Sequence, residues 1–170
     1  MYTINDNSEK VYTFDKCNEV GKNGEYLIGE LFPKTFKLTD GMNGDLLFKN
    51  EHKFELKTDT YKSGNFFFEK ISNVRLNNKG GVWQSKEHGC KYYAYFMLKY
   101  NKLYIFDVDV IIEWLDKNVS NYSVKIVTNP TKKTQGYAIP IKDAEDKCIQ
   151  IIDLSIVKTY TILKKKYGFS

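Results

Sequence analysis

Gly44-Asp45-Leu46-Leu47-Phe48-Lys49-Asn50-Glu51-His52-Lys53-Phe54-Glu55-Leu56-Lys57 is the stretch that decides how this chain folds. Two short apolar runs flank a polar turn, Lys49 to His52, which predicts an antiparallel hairpin. Strand side chains alternate faces, so Glu55 and Lys57 share one face while Phe54 and Leu56 share the other. Asp45 opens the first strand and lands near the end of the second, beside Glu55 and Lys57. Two carboxylates and one ammonium then meet at one place. Such a place suits a hard divalent cation, above all Mg²⁺, which keeps several waters and takes phosphate as a further ligand. The cation polarises a phosphoryl oxygen and lowers the pKa of bound water. A neighbouring lysine orients that water or meets the negative charge that develops. The plain alternative is a solvated hairpin with charges on its exposed face.

Upstream, Asp15 to Phe32 reads as a helix, with Val20, Gly24, Leu27 and Leu31 on one face and Pro33 at its end. Glu19 and Glu30 point away from that face, whereas Glu25 stands at its border, from which a carboxylate can reach a neighbouring site. A short strand, Thr35 to Leu38, and a turn at Asp40-Gly41 lead into the hairpin. Downstream, Thr58 to Gly64 reads as a polar loop carrying Lys62, and Asn65 to Glu69 as a strand. Asn73 to Gly81 reads as a flexible loop in which Arg75 and Lys79 are placed to contact phosphate. Ser85 is expected to cap a helix, setting Gln84, Ser85 and Lys86 at a helix start that favours an anion. Trp83 is expected in the core.

Tyr92 to Leu98 and Leu103 to Phe106 predict a second hairpin that completes the sheet. Asp107 or Asp109 caps a helix whose packing face carries Val110, Ile111, Trp114 and Leu115. Ser123 to Val127 is a strand. Thr128 to Gly136 is a basic loop with Lys132 and Lys133 as further phosphate contacts, and Tyr137 to Ile141 is a strand. Ile149 to Ile152 is apolar, and Ser155 to Tyr167 reads as a helix ending in Lys164-Lys165-Lys166.

The hairpin resembles that of the PD-(D/E)XK nuclease superfamily, with Asp45 as the first acid, Glu55-Leu56-Lys57 as the (D/E)-x-K element, and Gly44 where Pro is usual. The likeness extends to small, often phage-encoded members, including those like Holliday junction resolvases. It is carried by Glu55-Leu56-Lys57-Thr58-Asp59, Gly64 to Glu69, Gly81-Val82-Trp83-Gln84-Ser85-Lys86 and Lys91-Tyr92-Tyr93-Ala94-Tyr95. It implies an α/β fold with a restriction-endonuclease-like core: helix, three-strand meander, helix, strand, in a mixed central sheet flanked by helices. It also implies one domain over residues 1–170, with its core at about 15–106 and a C-terminal elaboration over 107–170. The implied activity is a Mg²⁺-dependent endonuclease, with Mn²⁺ able to substitute. Asp45, Glu55 and the Leu56 carbonyl would hold the metal, Lys57 would serve the water, and Glu25 and Glu69 would be accessory acids. The implied partner is duplex or branched DNA, and a junction resolvase would be a homodimer. The same fold also occurs as an inactive DNA-binding or protein-interaction module, which is the alternative.

At 170 residues the chain has room for one domain with a sizeable core. A net charge of +5 permits a polyanionic partner without requiring one. Arg75 is the only arginine, and lysine binds phosphate as a point charge without the bidentate fork that reads guanine, so backbone contact is favoured over base readout. Cys17, Cys90 and Cys148 lack metal-type spacing and are expected as reduced thiols in a cytoplasmic protein. His52 and His88 are too few for histidine-centred nuclease or zinc hydrolase chemistry. Met1 to Lys10 has no signal-like apolar region, and no apolar run approaches membrane-spanning length, so no membrane partner is expected.

Overall fold

The computed structural model describes residues 14–41, 44–48, 52–128 and 132–169. In chain order these form α1 (Phe14–Leu31), β1 (Phe36–Gly41), β2 (Gly44–Phe48), β3 (Lys53–Asp59), β4 (Asn65–Asn73), β5 (Asn78–Lys79) and α2 (Gly81–Glu87). There follow β6 (Tyr92–Met97), β7 (Lys102–Asp107), α3 (Val108–Asn118), β8 (Val124–Thr128), β9 (Lys133–Pro140), α4 (Ile141–Ala144), β10 (Cys148–Asp153) and α5 (Tyr160–Lys166). The molecule is mixed α/β. Its central sheet has the order β1-β2-β3-β6-β7-β10, and a smaller sheet has the order β5-β4-β9-β8. Every pairing in the central sheet is antiparallel except β3 with β6, which run parallel. A parallel pair needs a crossover; here it contains β4, β5 and α2.

Alternation along the central strands divides the core in two. Phe54, Leu56, Ala94, Phe96, Leu103 and Ile105 face one side, where Leu27, Ile28 and Leu31 of α1 and Tyr160 and Leu163 of α5 cover them. Tyr93, Tyr95, Met97, Tyr104 and Phe106 face the other, under Phe66 and Phe68 of β4, Ile139 of β9, and α2 and α3. Phe66 makes edge-to-face contacts with Tyr95, Tyr104 and Phe106 at centroid separations of 5.2, 5.0 and 5.4 Å. Each such pair adds about 0.5–1.5 kcal/mol beyond the area it buries. The buried Tyr95 hydroxyl ties the two sheets together, donating to Asp59 Oδ2 at 3.2 Å and accepting from the Phe67 amide at 3.0 Å.

Contacts at two places position α1. Gly24 lies against the Thr58 side chain so closely that a Cβ there would overlap the hydroxyl, so only the Thr58 side chain separates helix from strand. At its far end, Glu30 accepts from Lys166 at 2.6 Å, and Tyr26 stacks on Tyr167 at 6.1 Å.

Glu30 points away from the apolar face as expected, exposed and paired with Lys166 of the C-terminal helix. Several other sequence expectations are corrected. Thr58 and Asp59 still belong to β3, and β4 runs on to Asn73, because both find pairing partners. The stretch from Asn73 to Gly81 is the β4–β5 hairpin and the start of α2. The β6–β7 hairpin does not complete the central sheet, since β10 adds beyond β7. Asp107, not Asp109, caps α3 by accepting from the Asp109 and Val110 amides. Val110 is exposed, and Ile112 takes the place expected for it in the core. Lys133 to Gly136 lie in β9 rather than in a loop. The C-terminal helix begins only at Tyr160. Asp40 and Gly41, expected as a turn, end β1. The hairpin turn residues Lys49 to Glu51, the first residues to Thr13, and 129–131 of the basic loop lie outside the described residues. Among the described residues no helix is long and apolar enough to cross a membrane.

Because nothing separates Gly24 from Thr58, Gly24→Ala should cost about 1–3 kcal/mol by overpacking. A urea midpoint measures this, and Thr58→Ala in the same chain should recover much of the loss.

Candidate functional site

The predicted hairpin exists. Leu46 pairs with Phe54 and Leu47 with Lys53, and that register carries Asp45 towards Glu55. The Leu56 amide donates to Asp45 Oδ2 at 2.7 Å, fixing the carboxylate of one strand against the backbone of the next. A strand residue's N–H and C=O leave on the same side, so the Leu56 carbonyl also faces Asp45. Glu55 stands beside the buried Tyr93 of β6, and Lys57 beside Tyr95. Glu25 arrives from the opposite layer, one residue beyond the Gly24 contact.

These acids are poorly solvated and close enough to feel one another. Burial, then the charges of Asp45 and Glu25, push the Glu55 carboxyl up to about 8, against a lowering pull from Lys57. Burial and Asp45 push Glu25 up to about 7, with Lys22 opposing. Burial also raises Asp45, while the Leu56 amide pulls it down. Near neutral pH Glu55 and Glu25 therefore tend to keep their protons, and a cation entering the corner would favour their ionised forms in place of those protons.

Among the described residues no three Asp, Glu, His or Cys side chains converge tightly enough to hold a metal ion by themselves. Mg²⁺ does not demand that, since it is commonly bound through one or two carboxylates with water and phosphate completing the shell. Asp45, Glu55 and the Leu56 carbonyl are a donor set of that kind.

Glu69 does not join the three acids in the same way. Its carboxylate lies against Gly80, where a Cβ would come within 2.7 Å of Oε1, at the start of α2. Its charge still reaches Tyr93 and Tyr95. Sequence reasoning missed several neighbours of the site. Tyr93 lies beside Glu55 through the parallel pairing. The Cys90 thiol is driven up to about 12 by burial and by the charges of Glu55 and Asp45, with Lys53 opposing. No local sequence signal points to either residue, because a distant crossover delivers both.

The candidate phosphate contacts divide. Ser85 is not a cap: it is buried inside α2 and its hydroxyl donates to the Gly81 carbonyl at 2.9 Å, while Gly80 precedes the helix. Gln84 and Lys86 accordingly lie in the later part of α2, and the carboxylate of Glu69 stands at the helix start where an anion was expected. Lys79 is paired with Glu87 at 2.6 Å and Lys86 with Asp109 at 2.9 Å. Lys62, Arg75 and Lys133 are exposed, and Lys132 is half-buried. Trp83 is half-buried, with its indole N–H donating to Asp116 at 3.3 Å.

No protein-family model matches the chain, and no curated protein matches it.

The raised acids set a pH dependence of stability. Glu25 and Glu55 keep protons in the folded state that the unfolded chain has already released above the ordinary glutamate value of 4.5. Their contribution is complete below that value and is lost as pH rises through about 7 to about 8. In EDTA the melting temperature should therefore fall between about pH 5 and about pH 8. Glu55→Gln, which removes one titrating group and its repulsion, should flatten that slope in thermal scans.

Proposed function

We propose that the protein is a metal-dependent deoxyribonuclease, an endonuclease that hydrolyses DNA phosphodiester bonds. The observation that carries this reading is the Leu56 amide bound to Asp45, which holds the acids of β2 and β3 together in a corner where burial raises both carboxyls. The element order supports it too. A helix, a three-strand meander, a helix and then a strand parallel to the third meander strand is the restriction-endonuclease-like arrangement that the hairpin's sequence implies.

In this reading Asp45, Glu55 and the Leu56 carbonyl hold Mg²⁺, or Mn²⁺ in its place. When bound, the ion supplies Lewis acidity towards a phosphoryl oxygen and acidifies water. Lys57 shares the face of Glu55 and is near enough to act on its charge. Its ammonium orients the attacking water and meets negative charge growing on the phosphoryl oxygens. Water adds to phosphorus, the bond to one ester oxygen breaks, and that oxygen leaves with a proton. Asp45 keeps its oxygens aimed by accepting from Leu56, and Glu25 adds charge from α1. Lysines on the surrounding surface follow the DNA backbone, so binding weakens as salt rises.

One observation favours a second reading, a DNA-binding or protein-interaction module without catalysis: the acids do not form a complete three-side-chain metal cage. Plasmid cleavage separates the two. The wild-type chain should nick plasmid DNA with Mg²⁺ or Mn²⁺ and stop in EDTA. Asp45→Asn and Lys57→Ala should each lower the rate by about 10²–10³ or more while leaving DNA binding in place. Unchanged cleavage by either variant removes the assignment, and binding without cleavage in any divalent metal selects the module.

A further inference from the structure

The small sheet ends in a corner that carries three of the candidate phosphate contacts, Arg75, Lys132 and Lys133, away from the acids. Residues 74–77 join β4 to β5 in a tight turn, and the turn is held in shape. Asn73 Oδ1 accepts from the amides of Arg75 at 3.1 Å and Leu76 at 3.2 Å, and Asn77 adopts a left-handed φ of 53°. The Val74 amide donates to the Lys133 carbonyl at 2.9 Å. That bond brings the start of β9 alongside the turn, so Arg75, Lys132 and Lys133 gather at one corner although they are far apart in sequence. Among the described residues no carboxylate forms an ion pair with these three cationic groups. The sequence has no Asp or Glu from Lys70 to Lys86 or from Lys117 to Lys142.

At the tip of this cationic corner sits apolar surface. Leu76 leaves 58% of its area in water and Val74 leaves 39%. A large aliphatic side chain on a hydrogen-bonded turn, with basic residues beside it, matches the way proteins enter stacked bases. The cations hold phosphates on either side while the apolar group wedges into a base step.

We propose that the β4–β5 turn is a DNA wedge: Leu76 inserts at a base step, and Arg75, Lys132 and Lys133 hold the adjoining phosphates. The substrate class that follows is duplex DNA with a step that opens cheaply, as at a mismatch, a bulge or a branch point, because unstacking costs least there. The inference rests on the DNA reading above but not on catalysis.

The test uses the full chain in EDTA, so that no cleavage intervenes. The probes are two short duplexes, one matched and one with a single mismatch, each carrying 2-aminopurine beside the central step. Wild type should bind the mismatched duplex about tenfold more tightly and raise 2-aminopurine emission as the base unstacks. Leu76→Ser, at an exposed position, should lose both the emission rise and the preference while holding the matched duplex within about twofold. Arg75→Ala and Lys133→Ala should weaken both duplexes alike and lower the slope of log affinity against log salt by about 0.9 each. The wedge is overturned if Leu76→Ser keeps the preference and the emission rise, if wild type binds both duplexes equally, or if no DNA binds. Metal-dependent plasmid cleavage is scored separately. Cleavage with no role for Leu76 leaves the nuclease standing and the wedge fallen; Leu76-dependent mismatch binding without cleavage does the reverse.

Discussion

Burial of Glu25, Asp45 and Glu55 in one corner is the constraint the rest of the structure answers to: it raises each carboxyl above its ordinary value, and three separate elements hold the acids there. The Leu56 amide holds Asp45, the parallel pairing of β3 with β6 holds Glu55 beside buried Tyr93, and the close contact of Gly24 with the Thr58 side chain brings Glu25 in from the other layer. Burial raises all three acids. A cation bound there would favour the ionised carboxyls over the protonated ones, and this links the packing of α1 to the proposed chemistry.

The two layers over the central sheet divide the work. On one side α1 and α5 form an apolar lid, and the pairing of Glu30 with Lys166 joins the N-terminal helix to the C-terminal one. On the other side β4 and β9 lie over Tyr95, Tyr104 and Phe106, and the Tyr95 hydroxyl ties Asp59 to the Phe67 amide. That tie sets the small sheet over the same strands that carry Glu55 and Lys57. The small sheet is thus both core and platform: its inward aromatics stabilise the molecule, and its far corner carries the cations and Leu76 of the proposed wedge.

The hairpin was legible because its periodicity is local. Phe54 and Leu56 alternate with Glu55 and Lys57, and the structure buries the first pair while leaving the second half-exposed. The α1 helix was legible for the same reason, from the spacing of Leu27 and Leu31 and the stop at Pro33. Ser85 was misplaced because a capping residue and a small buried residue look alike in sequence. Its packing against β4 is a tertiary fact, and inside α2 its hydroxyl is satisfied by the turn before it. Lys79 and Lys86 looked like free cations because Glu87 and Asp109 reach them only across folded elements.

Taken alone, the order of residues determined the alternation of strands, the span of the first helix and the chemical character of Asp45, Glu55 and Lys57, since each depends on neighbours a few positions away. Only the tertiary structure decided that Tyr93 and Cys90 border the acids, that β4 leaves the central sheet to found a second one, and that the turn carrying Arg75 is bonded to Lys133 at the start of β9. Those are long-range pairings. They are set by which hydrogen-bonding edge and which apolar face remain open once the local elements have formed, and no window of sequence contains both partners.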